Sequence, residues 1–131
     1  MCPEIKFITN EEKGIVVAIA EGCRTDAIDE ILKCNANAHV LFTIFNKNMT
    51  DGIDLMVDER LFIKDTFVGV ARCHPDDVFS EATGRRIACK KLHKAYNKAK
   101  YNTIKTFAKR LSRLSENINY SMQKIEDKIN K

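Results

Sequence analysis

The sequence contains no tryptophan, only two prolines and only five glycines among its 131 residues. With 44% apolar residues as well, this composition excludes a disordered, collagen-like or low-complexity chain. No apolar run approaches the roughly 20 residues that a membrane-spanning helix needs, and the N-terminus lacks the features of a signal peptide. We therefore expect a globular protein with a real core that does not associate with a membrane.

The sequence also lacks the patterns that mark common active sites. Its five cysteines are an odd number, which favours a reduced, cytoplasmic protein over a disulfide framework. It contains no glycine-rich phosphate loop, no nucleophile elbow and no metalloprotease helix. We therefore expect no enzymatic activity and no required cofactor.

Charge is distributed unevenly along the chain. Residues 1–81 carry eight Lys/Arg and fifteen Asp/Glu, whereas residues 82–115 carry eleven Lys/Arg and no acid. The remaining residues, 116–131, hold three charges of each sign. Since a block of one sign attracts the opposite sign, the cationic block has three candidate partners. They are nucleic acid, an acidic protein surface, and the acidic first part of this same chain.

The first part of the chain has the pattern of short strands and one helix. Residues 5–9 and 15–20 are apolar and flank a polar, glycine-containing turn, which predicts a β-hairpin. Apolar residues at helical spacing predict a short amphipathic helix over about 26–34. The β-branched and aromatic run 40–45 predicts a strand.

A second hairpin is predicted where residues 61–64 and 67–73 flank a two-residue turn. Alternation along the second of these strands places Phe67, Gly69, Ala71 and Cys73 on one face. Gly69 and Ala71 are small, so we expect a helix to pack closely over that face.

No proline or glycine follows Gly84, and apolar residues recur at helical spacing to the end of the chain. The second half of this pattern, residues 104–129, has spacings of three and four residues that resemble a heptad seam. The one expected break lies at 101–103, so this region is either one bent helix or a helical hairpin. The seam indicates either core packing or a homodimer.

Together these patterns predict an α+β fold. A small antiparallel sheet with a short helix is followed by long C-terminal helices. We expect an α+β domain at 1–99, which includes the motif described next, and a helical extension at 100–131.

Residues 68–92 carry the one recognisable motif, which predicts a strand–turn–helix packing unit. Pro75 cannot donate a hydrogen bond to a sheet and ends the strand. Ser80 is a suitable helix N-cap, and Gly84 permits a close approach between helix and sheet. The structural residues of the motif are Gly69, Ala71, Cys73, Pro75, Asp77, Phe79, Gly84 and Ala88.

This spacing, G-x-A-x-C-x-P-x-D-x-F followed by a glycine and an Ile-Ala pair, resembles a small domain found in proteins of phages and other mobile elements of Gram-positive bacteria. Ser80 stands where that family often has a second acid, and Lys91 where it usually has arginine. The resemblance implies a phage-encoded protein that acts in the cytoplasm of a bacterial host cell. Small non-enzymatic proteins of this origin often inhibit host defence, as anti-CRISPR proteins do.

Zinc is the one metal for which the sequence offers candidate ligands. Two cysteines and two histidines lie in or beside the motif, and Cys89 and His93 share one helix face. However, no CxxC pair occurs and the spacing matches no standard zinc knuckle, so we do not favour a metal site. The four candidate ligands are Cys73, His74, Cys89 and His93.

Two functional hypotheses follow. In the first, the protein inhibits a host defence effector, such as a nucleic-acid-binding nuclease or its complex, by occupying its surface. In the second, it is a nucleic-acid-binding accessory or regulatory protein that lays the basic helix 85–113 along phosphates, with Tyr96 and Tyr101 close enough to stack on a base. Both use the same candidate partner-binding residues, which are Arg85, Arg86, Lys90, Lys91, Lys94, Lys98, Lys105, Lys109, Arg110 and Arg113.

Overall fold

We describe a computed structural model of the chain, which covers residues 3–34 and 59–131. The predicted α+β class is confirmed, since a three-stranded antiparallel sheet is accompanied by a short helix and a long C-terminal helix. The strand predicted at 40–45 lies outside the described residues. In chain order the elements are β1 (Ile5–Asn10), β2 (Ile15–Ala20), α1 (Asp26–Cys34), a 3-10 helix (Glu59–Leu61), β3 (Phe67–Arg72) and α2 (Glu81–Ile129).

The predicted hairpin of β1 and β2 is confirmed. Its turn closes through a hydrogen bond that the Gly14 N–H donates to the Glu11 carbonyl, 3.1 Å apart. Gly14 has a φ of +64°, in the left-handed region that favours glycine. In the sheet order β1-β2-β3, β2 is central and pairs antiparallel with both neighbours.

The second predicted hairpin is wrong, because β3 pairs with β2 and residues 62–64 form no strand. These residues run beside the start of α1. The Ile63 N–H donates to the Arg24 carbonyl and the Cys23 N–H donates to the Asp65 carbonyl, both at 3.0 Å. Their backbone groups therefore pair with the segment before α1, and the buried Ile63 side chain joins the cluster between the sheet and α2.

The sheet packs one face against α2, and the predicted alternation of β3 is confirmed. Phe67, Gly69 and Ala71 are buried, whereas Val68 and Arg72 are exposed on the other face. The backbones approach so closely that a Cβ at Gly69 would overlap the Ala88 carbonyl oxygen and lie 2.7 Å from the Leu92 nitrogen. Small residues thus set the distance between sheet and helix.

α2 is a single helix of 49 residues, so the helical-hairpin alternative is wrong. It begins after Ser80, the predicted N-cap, whose hydroxyl oxygen accepts a hydrogen bond from the Thr83 N–H at 3.3 Å. It continues without interruption through 101–103 and through the expected boundary between residues 99 and 100. At about 1.5 Å per residue, its length is about 70 Å.

Two clusters of buried side chains connect α2 to the rest of the protein. The first lies between the sheet and α2, and within it the Phe67 and Tyr96 rings meet edge to face with centroids 5.5 Å apart. The second joins α1, the 3-10 helix and α2 around Phe107, with Leu111 and Leu114 packed against it. Every described residue from 115 onward is exposed, so the last part of α2 extends beyond both clusters.

Candidate nucleic-acid interface

The cations of α2 collect on the side of the helix that faces away from the protein core. Lys90, Lys94 and Lys98 each follow a buried residue by two positions. Two positions correspond to about 200° around an α-helix, so these lysines lie opposite the core. Four further cations likewise lie two residues before or after a residue that is buried in the core or packed against it. We call the complete set the cationic face; it consists of Arg86, Lys90, Lys94, Lys98, Lys105, Lys109 and Arg113.

The cationic face is exposed and is not neutralised by the acidic first part of the chain, as far as residues 3–34 and 59–131 show. All seven side chains belong to exposed residues, and none forms an ion pair with a described carboxylate. Among the described residues, the ion pairs between the basic segment and the acidic part use other cations: Arg85 pairs with Glu81 at 3.0 Å and Lys100 with Glu30 at 3.6 Å. The face therefore carries its charge into solvent.

The cations of this face repel one another, because neighbouring cations lie about one helical turn apart. Arg86, Lys90, Lys94 and Lys98 succeed one another at intervals of four residues, and so do Lys105, Lys109 and Arg113. Like charges at this spacing destabilise a helix by about 0.2–0.5 kcal/mol for each pair. A bound anion would remove this cost, which makes the face a favourable place for a polyanion.

Tyr101 lies between the two groups of cations. Its side chain is 62% exposed, and the Lys105 ammonium lies 5.8 Å from the centre of its ring. Tyr96, the other predicted stacking residue, is only 3% exposed and donates a hydrogen bond from its hydroxyl to Asp26 at 2.6 Å. Tyr101 is therefore available to stack on a base, and Tyr96 is a core residue.

Three of the ten predicted contact residues serve the fold. Arg85 pairs with Glu81 at 3.0 Å and lies over the Phe7 ring. The Lys91 ammonium donates a hydrogen bond to the Val70 carbonyl at 3.0 Å, and so provides a partner for a backbone acceptor of β3. Arg110 is half-buried and engaged within the chain. The Arg85–Glu81 pair could have been read from its four-residue spacing, whereas the partner of Lys91 comes from tertiary packing and could not.

The four candidate zinc ligands do not come together. Within the described ranges, no group of three or more His, Cys, Asp and Glu side chains is placed to hold a metal ion. Cys73 and His74 instead belong to the turn after β3. There the Asp77 N–H donates to the His74 carbonyl at 2.9 Å, and the Asp76 N–H donates to His74 Nδ1 at 3.2 Å. His74 thus organises the turn, a role that its position in the sequence did not reveal.

A cavity of about 400 Å³ opens between the end of β3 and the first turns of α2. Its lining includes the motif residues Ala71, Cys73, Asp77, Phe79 and Gly84. A Cβ at Gly84 would lie 2.5 Å from a methyl group of Val16. This glycine therefore permits the predicted close approach between helix and sheet.

The chain matches no family model, no curated protein and no solved structure. None of the helices that the structure describes combines the length and apolar character needed to cross a membrane. The functional interpretation accordingly depends on the geometry and charge of the described residues.

Proposed function

We propose that this chain is a non-enzymatic protein that binds nucleic acid through the cationic face of α2. The observation that carries the proposal is the face itself, in which seven exposed Lys and Arg side chains form a strip that winds gradually around a single helix, on the side away from its packed residues. No acid interrupts them, since residues 82–115 contain none. Such an arrangement suits an extended polyanion better than a single small anion.

The length of the face supports a nucleic-acid backbone as the ligand. From Arg86 to Arg113 the helix rises by about 40 Å, somewhat more than the roughly 34 Å of one turn of B-DNA. Cations along such a line can neutralise several phosphates and release their counterions, which supplies most of the free energy of non-specific binding. Because contacts to phosphates carry no sequence information, we expect binding with little sequence preference.

The test is to reverse charge at the centre of the face. The double variant K90E/K94E places carboxylates where two phosphate contacts are proposed. We expect its affinity for a fluorescently labelled DNA duplex to fall by about a hundredfold or more at low salt, because two attractive contacts become repulsive. Fluorescence anisotropy measures the affinity, and circular dichroism verifies that the helix is retained.

The matched control is K6E/K13E, which makes the same change in net charge on the β1–β2 hairpin, where both lysines are exposed. We expect this control to keep its affinity within a few fold, because Lys6 and Lys13 are not part of the cationic face. Equal losses in the two variants would mean that only the net charge matters. Absence of wild-type binding to both duplex and single-stranded DNA at 50 mM salt would contradict the proposal.

The resemblance of residues 68–92 to a phage domain supports a second proposal, in which the protein inhibits a host defence effector by occupying its surface. The cationic face would then contact an acidic region of that effector. Affinity purification from a bacterial host lysate, with and without nuclease, separates the two. Recovery of one protein regardless of nuclease treatment favours inhibition, whereas loss of all partners after nuclease treatment favours nucleic-acid binding.

A further inference from the structure

The last part of α2 carries an apolar row that no described residue covers. Ile118, Met122, Ile125 and Ile129 are 53%, 62%, 57% and 74% exposed, although large apolar side chains of this kind are usually buried. They succeed one another at intervals of four, three and four residues, so they lie along one side of the helix. We call these four residues the terminal seam.

The structure divides the predicted seam 104–129 into two parts with different surroundings. Phe107 is buried in the second cluster, and Leu111 and Leu114 pack against that cluster. This first part is therefore used within the chain. The terminal seam begins where these contacts end, and among the described residues it has no partner.

The charge pattern of α2 identifies a second copy of this chain as a suitable partner for the terminal seam. Residues 116–131 hold three charges of each sign, whereas residues 82–115 hold eleven cations and no acid. Two copies can therefore approach each other along the terminal part of α2 without net repulsion, but not along the basic segment. A parallel pair would bring the two basic segments to the same end of the dimer, while an antiparallel pair places them at opposite ends, far beyond the Debye length of about 8 Å.

The spacing of the terminal seam is also suited to antiparallel pairing. Intervals of four, three and four residues are the same in both directions along the helix. In an antiparallel register, Ile118 therefore lies opposite the partner's Ile129, and Met122 lies opposite the partner's Ile125. The result is a two-fold interface in which the same surface is used by both copies.

We propose that this chain forms an antiparallel homodimer through the terminal seam. The proposal is independent of nucleic-acid binding, because the terminal seam and the cationic face share no residue. An interface of this length is small, so we expect the dimer to dissociate on dilution.

Sedimentation equilibrium between about 1 and about 100 µM, a range typical of small interfaces, tests the assembly. We expect the wild-type mass to rise from that of the monomer towards twice that value, and the variant I125E to remain monomeric. The matched control Q123E adds the same charge two residues away, on the opposite side of the helix, and should dimerise as the wild type does. A wild-type monomer at every concentration, or a dimeric I125E, would overturn the proposal.

Disulfide trapping tests the orientation. Under mild oxidation a mixture of I118C and I129C should give a covalent dimer, because these positions face each other in the antiparallel pair. I118C alone should give none, since its two copies would lie about 16 Å apart along the axis, beyond the reach of a disulfide. Wild-type protein under the same oxidant controls for the native cysteines. Efficient trapping of I118C alone would overturn the antiparallel orientation.

Discussion

At the scale of single residues, small side chains determine how closely the helix and the sheet can pack. Gly69 places the backbone of β3 against the backbone of α2, and Gly84 places the backbone of α2 against the Val16 side chain. Ala88 is fully buried between them. These residues belong to the motif at 68–92, so packing accounts for these three positions of it. Its presence does not require a bound ligand.

Substitution of Gly69 by alanine should destabilise the protein strongly. The added methyl group would overlap the Ala88 carbonyl oxygen, so strand and helix would have to separate. We expect a loss of at least about 2 kcal/mol in the free energy of unfolding, towards the upper part of the range for overpacked cores. Urea denaturation measures this loss. The control V68A, on the exposed face of the same strand, should cost less than about 1 kcal/mol; equal losses would show that the close approach is unimportant.

Cys23 should be the least reactive of the three cysteines whose side chains the structure describes. Burial raises the pKa of its thiol, and Asp26 and Asp65 raise it further. The reactive thiolate is therefore rare near neutral pH, whereas Cys73 and Cys89 are only half-buried. Alkylation at pH 8, followed by peptide mass spectrometry, should modify Cys23 last, and all three at similar rates in urea. Faster modification of Cys23 in the folded protein would contradict this assignment.

The same raised pKa has a consequence for stability. The folded state keeps the Cys23 proton to a higher pH than the unfolded chain does, where a free thiol has a pKa of about 8.5. The stability that the protonated Cys23 thiol contributes to the folded protein is therefore fully present below the pKa of the unfolded chain. It is lost as pH rises through the pKa of the folded state.

At the scale of elements, α2 combines three surfaces along one helix. The residues of its first two thirds that face the protein pack on the sheet and on α1. The opposite side of the same stretch is the cationic face, and the terminal seam follows beyond the second cluster. A hairpin would have interrupted the cationic face near Tyr101. The continuity of the helix is thus what keeps the cations on one unbroken helical surface over about 40 Å.

How much of the fold could be predicted depended on how local each pattern was. The β1–β2 hairpin and α1 are specified by neighbouring residues, and both are confirmed. The partner of β3 is a distant strand, and sequence spacing suggested residues 61–64 instead. The cationic face was predicted as a set of residues, but Lys91 and Arg110 could not be separated from it. The contact of Lys91 with β3 and the partial burial of Arg110 exist only in the folded chain.

At the scale of the whole molecule, charge is segregated along the sequence, and among residues 3–34 and 59–131 it remains so after folding. The Arg85–Glu81 and Lys100–Glu30 pairs join the basic segment to the acidic first part, while the cationic face is left without ion pairs in the portion of the chain that the structure describes. This segregation creates a field of one sign along one side of the molecule. Such a field accelerates association with an oppositely charged partner and depends on ionic strength.

The salt dependence of DNA binding tests this role of the cationic face most directly. If about five of its cations contact phosphates of a duplex, the logarithm of the affinity should fall with the logarithm of salt concentration with a slope of about −4.5. The variant K90Q/K94Q should reduce the magnitude of that slope by about 2, whereas the off-face control K6Q/K13Q should leave it unchanged. Binding with no salt dependence, or a slope unaffected by K90Q/K94Q, would show that the cationic face does not bind the phosphate backbone.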